Sequence, residues 1–302
     1  MKILSLAASL TTFVSLAAFS APSNALTFSF SQVPGDSLSV AQADAFQTAA
    51  NIWSASLSDA ITVNLQIGFA SLPANVLGST TPTILYSSGT DFRTTMTNDA
   101  RSATDAQAVA SLAGNSPSTI ALASAEAKAL GYNLPAGFSS DGKIEFSSSF
   151  TFSTARNPNG TIAAGTYDLV GIAEHEIGHI LGFVSSVDGF GNGYQTVLDQ
   201  FRYTAPQVRS ATAGAAAYFS VDGGLTKLAS FSTGTPNQAS HWLIGTGGVM
   251  VPEVAAGTTQ NLTALDLQAF DAIGYDVRVP EPWSISLLAL GSLAAIRLRR
   301  RT

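Results

Sequence analysis

The residues best suited to chemistry in this chain lie together: His175-Glu176-Ile177-Gly178-His179. If that segment is helical, a four-residue step is about one turn, and both imidazoles leave the same face. Two imidazoles so placed can share one Zn²⁺, and Glu176 projects beside them. Zinc lowers the pKa of a water towards ~7, and a neighbouring carboxylate can take its proton as attack on a carbonyl begins. The bland alternative is a pair of core histidines satisfied by backbone groups. It would bury two imidazoles and a carboxylate on one helix, each in need of a partner, for no return. The chain has three histidines in all, and two are in this motif.

A zinc ion needs at least a third protein ligand. Cysteine is absent, so no thiolate can serve, and neither a disulfide nor a cysteine nucleophile is available. The remaining histidine is His241. Asp188 and Asp199 are carboxylates nearer in sequence, and Asp188 stands as the alternative third ligand. Glu253 follows a proline in a Gly-rich stretch and does not read as a ligand on a helix. A lone loop histidine is ordinarily a surface residue, but an incomplete zinc site elsewhere in the chain gives this one a use. Met250 reads by default as a core filler.

The elements that must position these residues are partly legible. The motif falls in a predicted helix from about Tyr167 to Leu181 that is apolar on several faces, the mark of a buried helix, and Gly182 is expected to end it. Phe46, Ala50, Trp53 and Leu57 recur at helical spacing over 39–57. Ile61, Val63, Leu65, Ile67 and Phe69 alternate with smaller or polar residues and predict a half-buried strand, and the pattern of Ile144, Phe146, Phe150 and Phe152 predicts another at 143–153. Residues 91–130 are Ala-rich and read as two or three short helices. Residues 157–165 are a loop rich in Asn, Pro and Gly, and 184–240 hold few clear elements. A final helix is signalled by Thr263 as N-cap, Asp266 as its capping partner, Leu262 with Leu267 as a staple, and Gly274 at the C-terminal end.

The two ends read as processing segments. Residues 1–25 carry Lys2, an apolar run from Ile3 to Phe19 and Ser23-Asn24-Ala25 as a small-x-small site, which predicts a secretory leader rather than a buried N-terminal helix. Residues 279–302 hold Val279-Pro280-Glu281-Pro282, an apolar run from Trp283 to Ile296, and Arg297, Arg299, Arg300 and Arg301. This resembles the PEP-CTERM sorting signal of bacterial exported proteins, which implies an exosortase-type partner and transient membrane association through the tail; a plain C-terminal anchor is the other reading. Both place residues 26–278 outside the cytoplasm, at the cell surface or secreted. Without these ends the chain keeps 9 basic and 19 acidic residues, a net charge near −10, which argues against a nucleic-acid partner.

The zinc motif continues Ile180-Leu181-Gly182-Phe183 and matches the elongated motif of the metzincins up to its glycine. Its usual third histidine would fall at 185, where this chain has Ser185. Downstream, Ser240-His241-Trp242 is followed by Val249-Met250-Val251-Pro252 and by a helix ending Gly274-Tyr275. That order resembles the leishmanolysin-like metzincins, which insert a long segment between the motif glycine and the third histidine. The resemblance covers about 170–185 and 239–276. It implies that His241 is the third zinc ligand, with His175 and His179, and that Met250 is the methionine beneath the metal. It further implies an α+β metzincin-like fold. The upper subdomain would be 26–182, with the sheet and the active-site helix; the lower would be 183–278, with substrate in the cleft between. By the same resemblance, the 143–153 strand is the candidate to align a peptide by strand addition. The expected function is therefore an exported zinc endopeptidase with Glu176 as general base, acting on protein or peptide substrates. Two alternatives stand beside it: a non-catalytic surface or matrix protein on a peptidase scaffold, and a small-molecule metallohydrolase.

Overall fold

Alternating small and apolar residues from Thr27 begin a four-stranded sheet, seen in a computed structural model that describes residues 26–113, 117–234 and 237–278. The expected leader and sorting tail lie outside the described residues. Strand β1 (Thr27–Gln32) runs parallel to β2 (Thr62–Ala70), where Val63, Leu65 and Ile67 turn inward. Between them lies α1 (Val40–Ser56), opened by Ser39 and Gln42 as a reciprocal capping pair. Its buried stripe is Ala45, Phe46, Ala49, Ala50 and Trp53, the spacing that the sequence displays. The sheet is completed by β3 (Gly78–Pro82) and by a strand at Gly142–Ser147, in the spatial order β1, β2, Gly142–Ser147, β3.

This order corrects the expectation for 143–153. The strand stops at Ser147, and its two neighbours are β2, parallel, and β3, antiparallel, so it is interior. Its apolar alternation at Ile144 and Phe146 reflects burial on that account. Phe152 belongs to a separate short strand. Among the described residues, the free edge of the sheet on the motif side is β3, whose sequence Gly-Ser-Thr-Thr-Pro carries no apolar alternation.

After β3 come β4 (Ile84–Ser88), α2 (Gly89–Asp99) and α3 (Ala103–Ser111). The predicted all-helical stretch is interrupted by β5 (Thr119–Ala123), antiparallel to β4, before α4 (Ser124–Ala129). Tertiary pairing overrides the helix preference of its alanines, since every residue from Ile120 to Ala123 is buried. The interior strand at Gly142–Ser147 is thus β6. Strands β7 (Phe152–Ser153) and β8 (Tyr167–Asp168) pair in parallel and lead into α5 (Leu169–Ile180), the motif helix, which packs against α1 and β3.

Beyond α5 the chain holds more structure than its composition suggests. Two 3₁₀ turns, Ser186–Asp188 and Leu198–Phe201, precede a second small sheet of β9 (Arg202–Ala205), β10 (Val208–Arg209), β11 (Tyr218–Phe219) and β12 (Ala229–Ser230), ordered β10-β9-β11-β12. The last helix, α6 (Ala264–Ala272), has the Thr263 and Asp266 cap read from the sequence. The architecture is mixed helix and several small sheets, compatible with the α+β class. A contiguous set of aromatic rings joins the two sides of Gly182: Trp53 lies 4.6 Å from Phe270, Phe270 6.0 Å from Phe183, and Phe183 4.9 Å from Trp242. Among the described residues no helix is long and apolar enough to cross a membrane.

Candidate metal centre

Helix α5 is buried nearly all round, and the side chains of His175, Glu176 and His179 are held by specific partners. His175 Nδ1 lies 2.7 Å from the carbonyl of Val249, and His179 Nδ1 lies 2.7 Å from that of Phe183. A carbonyl only accepts, so each Nδ1 carries the proton and each Nε2 keeps a free lone pair. The Phe183 carbonyl is in reach because the helix ends at Ile180, three residues earlier. Gly182, at φ +113°, takes a left-handed turn that folds the chain back beneath His179.

His241 arrives from an irregular segment and completes a triangle. Its Nε2 is 3.2 Å from His179 Nε2 and 3.1 Å from His175 Nε2, and the two α5 nitrogens are 3.1 Å apart. His241 Nδ1 faces the Gln238 carbonyl at 3.2 Å. Three lone pairs thus converge with no proton among them, an arrangement that repels itself unless a cation sits there. Burial, and then the neighbouring His175, pushes the His179 imidazole down to about 3; burial, and then the two other histidines, lowers His241 well below its usual range. Both rings are neutral, the form that binds metal. Ligands on a tetrahedral ion with Zn–N bonds of about 2.0–2.1 Å are about 3.3 Å apart, close to the spacing found. Among the described residues this is the one group of three or more His, Asp or Glu side chains able to hold a metal ion.

Asp188, the alternative ligand, is placed otherwise. Its carboxylate accepts from the backbone N–H groups of Ala239 and Ser240, both at 2.7 Å, and from the Ser240 hydroxyl at 2.5 Å. Ser185, where the short motif would put a histidine, donates to Asp199 at 2.6 Å and caps the turn that carries Asp188. Asp199 also accepts from Ser186 N and from Thr196, so it is engaged in structure. Glu253 accepts from Asn237 at the cleft rim.

Met250 is fully buried, with its sulfur packed on α5 at Gly178, where a side-chain Cβ would overlap it. Trp53 closes the same spot and donates its indole N–H to the Glu174 carbonyl. Asp266 fixes the segment that follows His241: it accepts from the Trp242 indole, from Val249 N and Met250 N, and from Thr263.

Glu176 faces a cleft of about 630 Å³ lined by β3, α5 and the stretches around Gln238 and Pro252. Thr80 of β3 donates its hydroxyl to Glu176 Oε2 at 2.5 Å, and the β3 backbone at Gly78 passes so close that a side chain there would overlap the carboxylate. Burial raises the Glu176 carboxyl, against the pull of His175 and the Thr80 hydroxyl. Neither Thr80 nor the supporting role of Asp188 was legible in the sequence, because both act across segments with no shared motif. No family model matches the chain, and neither curated proteins nor solved structures yield a match.

Proposed function

We propose that the chain is a zinc-dependent endopeptidase of metzincin type, resembling the leishmanolysin-like branch. The observation that carries this reading is the convergence of three backbone-oriented imidazole Nε2 atoms beside Glu176 in an open cleft. His175, His179 and His241 would hold the ion. When bound, zinc supplies Lewis acidity, which acidifies water and polarises a carbonyl oxygen. Glu176 accepts the water's proton and returns it to the leaving amine. Thr80 keeps the carboxylate at one setting while this happens. The free edge of β3 forms one wall of the cleft, and an extended peptide would add to it as a further strand.

Export and exosortase-type sorting, read from the two ends, would place this activity at the cell surface or in the medium. The test is digestion of casein or a peptide library by the full chain loaded with zinc. Cleavage should be abolished by a chelator and restored by zinc. Glu176→Gln should lower turnover about a hundredfold or more while retaining the ion. A Glu176→Gln protein that cleaves at the parental rate would refute the mechanism. A zinc-loaded parent that cleaves nothing would favour the non-catalytic alternative.

A further inference from the structure

We infer that Asp188 is a positioning residue for the metal centre: it clamps the two residues before His241 and so holds the third ligand at the ion. The inference rests on the reading of the three histidines as metal ligands. It concerns a residue that contacts neither the ion nor the substrate cleft.

The need for such a clamp follows from how unequally the ligands are held. His175 and His179 ride on a buried helix, and each ring is fixed by a 2.7 Å bond to a carbonyl. Among the described residues no helix or strand leads directly into His241, and its ring bond to Gln238 is the longest of the three at 3.2 Å. It lies 62 residues from His179 along the chain. On its C-terminal side the backbone is well tied: the His241 carbonyl accepts from Ser232, and Trp242 bridges to Phe231 and Met250. On its N-terminal side the ties run to Asp188 and Arg202.

The Asp188 carboxylate takes both N–H groups of Ala239 and Ser240, one on each oxygen, together with the Ser240 hydroxyl. From the other side the guanidinium of Arg202, fully buried, donates to the Ala239 carbonyl at 2.8 Å while resting on the Phe231 ring. The N–H side and the carbonyl side of the same short segment are therefore both gripped. Asp188 is itself set by α5. The chain leaves the helix at Gly182, Phe183 supports His179, Ser185 is seated by Asp199, and the 3₁₀ turn ends at Asp188. The position that carries a histidine in the short zinc motif thus anchors the turn that delivers a clamp to a distant one.

Groups that support metal ligands typically contribute ten- to a hundredfold in metal affinity. The experiment is zinc affinity of the full chain, in detergent where the apolar C-terminal segment requires it, measured by competition with a chromophoric chelator. The proteins compared are the parent, Asp188→Ala, Asp188→Asn, Ser240→Ala and His241→Ala. The parent should bind one zinc. Asp188→Ala should bind about ten- to a hundredfold more weakly and show an altered visible spectrum when loaded with cobalt. Asp188→Asn, which keeps one accepting oxygen, should fall between. A clamp also predicts that the metal-free Asp188→Asn protein unfolds near the parental temperature, so that the loss appears in the metal-induced gain. Parental zinc affinity in Asp188→Ala would overturn the inference, as would a fall in metal-free stability with no fall in affinity. If Asp188→Ala does not fold, Asp188→Asn and Ser240→Ala decide, and parental affinity in both would overturn it. A parent that binds no zinc while remaining folded would overturn the metal reading itself, and this role with it.

Discussion

Thr80 donates to the Glu176 carboxylate at 2.5 Å and, at 3.2 Å, to the Glu176 backbone carbonyl. A hydroxyl bonded to a charged group contributes about 1.5–3 kcal/mol, so its loss should be felt where the carboxylate works. Thr80→Val is expected to lower kcat by about tenfold or more with KM and zinc content near parental values, and Thr80→Ser should restore most of the loss. Steady-state kinetics beside metal analysis checks this. The residues on α5 could be read in advance because a fixed helical step puts His175 and His179 on one face whatever surrounds them. His241 could be singled out by elimination among three histidines and by resemblance, but its geometry could not. Thr80 gave no signal, and Asp188 stood out only as an alternative ligand, not as the acceptor for Ala239 and Ser240. A threonine in a polar strand and an aspartate beside a glycine are ordinary residues until the fold brings Glu176 and Ser240 to them.

The segment between His241 and α6 depends on Asp266, which was read as a helix cap and is more than that. It accepts from Thr263 as the cap requires, and also from the Trp242 indole and the N–H groups of Val249 and Met250, all with no exposure to solvent. Removing the carboxylate strands several buried donors at once. Asp266→Ala should therefore destabilise the protein by about 3 kcal/mol or more, well beyond the ~1 kcal/mol of a surface N-cap. Urea unfolding followed by tryptophan fluorescence would measure it. At this scale the legible elements were those whose pattern and environment agree: α1, β2, α5 and α6. Strand β3 escaped because an edge strand facing a cleft needs no apolar alternation, and β5 because its Ile-Ala-Leu-Ala run is buried on both faces and reads equally as helix.

Across the whole molecule, acidic side chains gather where α2, α3 and α6 meet the residues that follow α1 and α6. Burial, and then the charge of Asp276, raises the Asp59 carboxyl to about 7. Burial likewise raises Asp99 and Asp271 to about 6, and Asp276 is raised against the pull of Arg101, whose Nε is 3.2 Å from it. A carboxyl whose native value lies above its unfolded value near 3.8 binds protons more tightly when folded. Its contribution is thus fully present below about pH 4 and is lost as pH rises through about 7. Asp59→Asn should raise the unfolding free energy at pH 8 by on the order of 1–2 kcal/mol, with the gain fading towards pH 5. Thermal or urea melts across that range check the sign.

The three-histidine centre has a topological consequence. An ion held by His179 and His241 closes a loop of 62 residues in a chain that has no cysteine. Cross-links act largely by shrinking the conformational freedom of the unfolded chain, and more so for long loops. The centre would therefore serve as a reversible cross-link, formed by loading the ion and opened by a chelator without any reductant. Limited proteolysis after chelation should cut first between Thr233 and Gly248, ahead of the first sheet, and re-addition of zinc should restore resistance. Equal cleavage rates there with and without chelator would show that the loop is closed by packing alone.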